Sequence, residues 1–173
     1  WGWWDQAPSD PKITAEVAYA LALASSTGFT VYDPMKKFAV GACQSHFART
    51  NLWEDKARLA AALALLDGEP SVRFANEVLE RGVKVSPFAK LRLAECLASA
   101  HRDRATELLD QVMPLVSSGP STAYIPIGAG IGWTASQTEA TAQLLIACEK
   151  LGLHSDLRSK LARRLVLPEA GQY

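Results

Sequence analysis

Lys56–Leu66 reads KARLAAALALL, and the helix it predicts carries apolar side chains on nearly every face. A helix apolar all round needs other helices around it, whereas one with a charged face can lie at the surface. Three further stretches share this character: TAEVAYALALASS (Thr14–Ser26), AKLRLAECLASA (Ala89–Ala100) and TEATAQLLIACEKL (Thr138–Leu151). Between them lie amphipathic stretches: MKKFAVGACQSHFAR (Met35–Arg49), SVRFANEVLERG (Ser71–Gly82), RDRATELLDQVMPLV (Arg102–Val116) and SDLRSKLARRLV (Ser155–Val166). The alternation predicts an all-α chain of stacked αα-hairpins, with Ala/Leu-rich helices inside and amphipathic ones outside. Alanines at Ala18, Ala20, Ala22 and Ala24, and at Ala60, Ala61, Ala62 and Ala64, let backbones approach closely on several sides.

The 173 residues suffice for one domain with a substantial core, and 49% of them are hydrophobic. Eighteen basic residues balance eighteen acidic ones, so electrostatics gives no reason to expect nucleic acid or a membrane surface as partner. The longest apolar runs are broken by Glu, Lys or Ser well short of the roughly 20 residues a membrane-spanning helix needs. No cleavable leader pattern is present. A start at Trp1 rather than Met leads us to expect a fragment excised from a longer chain.

Punctuation along the chain fits the helices. Asp10 or Thr14 is expected to cap the first, Asp33 with Pro34 the second, Ser86 with Pro87 the fifth, and Thr134 or Ser136 the seventh. Gly28, Asp67–Pro70 and Gly82 mark stops. The stretch SSGPSTAYIPIGAGIGW (Ser117–Trp133) is about three times longer than the other connectors and rich in Gly and Pro, and it reads as a surface flap with one short hairpin from Tyr124 to Trp133.

Candidate chemistry is sparse. Cys43, Cys96 and Cys148 lie inside predicted helices, odd in number and widely spaced, so packed free thiols are expected rather than disulfides. Cys43 and His46 share a helical face, but zinc needs at least one ligand more, and no metal is expected. A Cys–His nucleophile from Cys96 or Cys148 with His101 or His154 needs an exposed thiol of low pKa, which the apolar stripes do not offer. Gly128, Gly130 and Gly132 have part of a phosphate loop's spacing without the strand before it. Asp5, Asp10, Asp33, Glu54 and Asp55 occupy loop or helix-start positions where general acids could sit, and where caps and first-turn charges also belong. Trp1, Trp3 and Trp4, with Tyr124 and Trp133, form the candidate interaction surface, either for sugar or protein partners or as cover for the end of the helix stack.

Three stretches resemble the thioester domain of bacterial α2-macroglobulins. WGWW followed by SDPKITAEVAYALALA (Ser9–Ala24) is similar to its Trp-rich loop and Thr-Ala helix; KVSPFAKLRLAECLA (Lys84–Ala98) is similar to its Ser-Pro-Phe step and helix; GWTASQTEATAQLLIACEKL (Gly132–Leu151) is similar to its Trp and Glu-x-Thr-Ala helix. The closing PEAGQY (Pro168–Tyr173) resembles the loop before a further Ser-Thr helix, so the likeness covers most of the chain in the family's order. It implies part of an α/α toroid in a secreted or periplasmic protease trap, with neighbouring domains of the parent and target proteases as partners.

That family captures proteases through a Cys–Gln thioester in Cys-x-Glu-Gln, a motif absent here: Cys43, Cys96 and Cys148 are followed by QSH, LAS and EKL. No catalytic or cofactor residue carries over, and the expected role is a non-reactive scaffold that shields an acyl group carried elsewhere. An incomplete ring would leave apolar flanks at both ends, so self-association is expected. The alternatives are a toroidal enzyme acting on polysaccharide, with the Trp loop stacking sugar and Asp5 or Asp10 as acid, and a helical-repeat interaction module. The Asp-rich and repeated Gln…Gly-x-Trp motifs of toroidal terpene cyclases are absent.

Overall fold

Helix α1 (Pro11–Ser26) lies beside α3 (Trp53–Asp67), α3 beside α5 (Pro87–Leu97), and α5 beside α7 (Gln137–Leu151), so the four Ala/Leu-rich helices form one layer in chain order. The second layer holds α2 (Asp33–Arg49) against α1 and α3, α4 (Val72–Arg81) against α3 and α5, α6 (Arg102–Val112) against α5 and α7, and α8 (Ser155–Val166) against α7. The structure, a computed structural model, describes residues 1–2, 6–81, 85–126 and 136–167. The fold is all-α with a single two-stranded ribbon among those residues.

The layers follow from burial. In the middle of the stack α3 buries Ala57, Leu59, Ala60, Ala61, Ala62, Leu63, Ala64 and Leu66, and α5 buries every residue from Leu91 to Leu97. Such helices have neighbours on all sides. The end helices bury one side only: α1 turns Thr14, Ala15, Ala18, Tyr19 and Ala22 inward, and α7 turns Ala140, Gln143, Leu144, Ala147 and Leu151 inward.

Local signals set the boundaries. Asp10 caps α1, its Oδ1 accepting from the backbone N–H of Lys12 (2.8 Å) and Ile13 (3.0 Å), with Pro11 at the first helical position. Ser86 caps α5, and Ser136 forms a reciprocal capping box with Glu139 at α7. Asp33 is not the cap expected for α2: it is the first helical residue, Tyr32 occupies the cap, and the Asp33 carboxylate serves the helix dipole instead. Gly68 ends α3 at φ +77°, a conformation that favours glycine, and a 3-10 turn over Glu69–Ser71 leads into α4.

Of the hairpin expected from Tyr124 to Trp133, residues 127–133 lie outside the described residues, and the ribbon that is described comes just before it. The ribbon pairs β1 (Ser117–Ser118) with β2 (Ala123–Tyr124), reversing at Gly119–Pro120 with the Gly119 N–H donating to the Thr122 carbonyl at 2.9 Å. Ile125, buried, follows as a plug into the core, its N–H donating to Thr141 Oγ1 on α7 at 3.3 Å. Residues 127–135, which include Gly128, Gly130, Gly132 and Trp133, lie outside the described residues, as do Trp3, Trp4, Asp5 and the closing PEAGQY.

Candidate functional site: a polar seam across the inner helices

Each inner helix interrupts its alanines and leucines with polar residues spaced to share one face. On α1 these are Glu16 and Tyr19, on α3 Glu54 and Arg58, on α5 Arg92 and Glu95, and on α7 Gln143. Because the four helices lie side by side, these residues meet. Glu16 accepts from Arg58 Nη1 at 3.1 Å and, on its other oxygen, from Arg92 Nη2 at 2.9 Å. The Arg92 guanidinium stacks on the Tyr19 ring, 3.4 Å from its centroid, and Phe88 lies within 5.0 Å of both guanidinium groups. Glu95 Oε2 accepts from the Tyr19 hydroxyl at 2.8 Å and from Gln143 Nε2 at 2.7 Å. At the other end Glu54 accepts from Ser86 Oγ (2.6 Å) and the Ser86 N–H (2.9 Å), tying the α5 cap to α3.

The seam is deep. Arg92, Glu95, Gln143 and Tyr19 are all buried, while Glu16 keeps 42% of its side chain exposed. Burial pushes the Tyr19 phenol well above its ordinary value, and the Glu95 carboxylate adds to this, so Tyr19 keeps its proton and acts as a donor. Among the described residues Glu95 Oε1, Arg92 Nε, Arg58 Nε and Asp55 Oδ1 are buried without a hydrogen-bond partner. Asp55 is held above the usual carboxylate range, mainly by burial. Chemically the arrangement holds its charges against one another: the acids face guanidinium groups, hydroxyls or an amide. Open hollows of about 290, 450 and 440 Å³ lie beside Leu108, Val40 and Leu145, away from the seam.

The sequence-predicted residues scatter. Trp1 is half-buried against the core and meets Phe38 of α2 edge-on at 5.4 Å, whereas Tyr124 lies under Arg164 of α8, 5.0 Å away. These are opposite ends of the stack, so Trp1 and Tyr124 do not form one surface. Cys43, Cys96 and Cys148 are free and buried, and burial pushes the Cys43 thiol up to about 12, the Cys148 thiol up to about 11, and the Cys96 thiol up as well. His46 shares a helix with Cys43, but its Nε2 bonds Ser9 Oγ at 2.8 Å, and burial, with the Trp1 amine and Arg49, lowers its pKa. Asp10 is occupied as a cap and Glu54 as the Ser86 clamp. No group of His, Cys, Asp and Glu among the described residues has a metal-binding arrangement. No helix there is long and apolar enough to cross a membrane.

Residue-by-residue reading missed the seam. Its signal was present as lone charges within apolar helices, which burial forces to find partners on neighbouring helices. No protein-family model, curated protein or solved structure matches this chain.

Proposed function

We propose that this chain is a scaffold segment of an α/α toroid in a bacterial α2-macroglobulin-like protease trap, working outside the cytoplasm and taking no part in bond-making. One observation carries the reading: the three stretches that resemble the thioester domain, Ser9–Ala24, Lys84–Ala98 and Gly132–Leu151, run into α1, α5 and α7, all helices of the inner layer. In a toroid the inner layer lines the ring, and α1 and α7 would each meet a further inner helix on the side left open here. The engaged side chains of the seam support a structural role over a reactive one, since each acid named in it already serves a neighbour. The segment would then supply packing and interdomain surface while the acyl bond is protected and released elsewhere in the parent.

The parent protein provides the test. Incubated with a protease, it should form an adduct that survives boiling in detergent and is lost after pretreatment with methylamine. A parent that forms no such adduct and takes up no methylamine overturns the reading. Release of reducing ends from a glycan panel by the 173-residue chain would replace it with the polysaccharide-enzyme alternative.

A further inference from the structure

We draw no further inference here: the strongest candidate, the pair of guanidinium groups of Arg58 and Arg92 clasped on Glu16 where the seam reaches the surface, belongs to the site already described, and Glu16 and Glu54 already balance its two positive charges.

Discussion

Replacing Glu95 by alanine tests the core of the seam. The side chain is 3% exposed, and its Oε2 accepts two buried donors, the Tyr19 hydroxyl at 2.8 Å and Gln143 Nε2 at 2.7 Å. After Glu95→Ala the Gln143 amide has lost its partner, at about 1–3 kcal/mol for a stranded buried donor. Tyr19 loses less, because Gln143 Oε1 already lies 3.4 Å from its hydroxyl and can take over. The one lost methylene costs about 0.8 kcal/mol, while removing a buried carboxyl with one unpartnered oxygen returns part of this. The net expectation is a loss of about 2 kcal/mol, out of about 5–15 for a domain of this kind.

Glu95→Gln separates the bonds from the charge. Its carbonyl oxygen can accept from both donors, and a neutral amide is cheaper to bury, so the loss should stay within about 1 kcal/mol. Urea unfolding followed by circular dichroism reads both variants, with an unchanged slope showing that the same surface is exposed. The melting temperature of Glu95→Ala should fall by about 4–8 °C. Wild-type stability in Glu95→Ala, or equal losses in the two variants, would refute the assignment of Oε2 as a shared acceptor.

Four further expectations follow from burial and packing. Asp55, held above the usual carboxylate range by burial, binds its proton more tightly folded than unfolded; its contribution to stability is therefore full below the unfolded carboxylate pKa and is lost as pH rises through the folded one. Asp55→Asn should flatten that loss, so its stability relative to wild type should improve from acid to neutral pH, and a difference independent of pH would count against it. Native protein should react slowly with a thiol reagent at mildly alkaline pH and reveal three thiols only in denaturant, and one fast thiol would contradict the burial of Cys43, Cys96 and Cys148. Ala61→Leu, at a position 1% exposed within α3, should destabilise by about 1–3 kcal/mol through overpacking, and a neutral result would mean the inner layer is looser than described. Replacing Glu16, Arg58 and Arg92 together by Leu, Met and Met should leave the urea midpoint unchanged or higher while broadening amide resonances of α1, α3 and α5, and sharp wild-type-like spectra would speak against a register role for the seam.

The layers were legible because alanine and leucine on every face leave a helix no solvent-facing side. That rule works best for α3 and α5 and weakens at the ends, where α1 and α7 have the same composition but only half the neighbours. The seam was hidden by sequence distance: Glu16 lies 42 residues from Arg58 and 76 from Arg92, and Glu95 lies 48 from Gln143. Only the stacking of every second helix joins them. The ribbon went unread because Ser117–Ser118 and Ala123–Tyr124 are too short to show a strand pattern, although Gly119–Pro120 supplies the turn between them and Ile125 is drawn into the core by α7. Nothing local signalled the bond of Ser9 to His46, 37 residues away.

A layer of alanine-rich helices has a difficulty that the seam addresses. Where all faces are small and apolar, a helix can rotate or slide by a turn against its neighbour with little change in buried area, because dispersion and hydrophobic burial are non-directional. Charged groups are directional. Glu16 reaches both Arg58 and Arg92 only at one rotation of α1, and Glu95 meets Tyr19 and Gln143 only at one offset of α5 between α1 and α7. The ion pairs to a half-exposed Glu16 add little stability on their own. We therefore read the seam as a register device, which lowers the number of ways the inner layer can pack rather than deepening any one of them. The same reasoning explains why it runs through all four inner helices: a missing link would leave every helix beyond it free to slip.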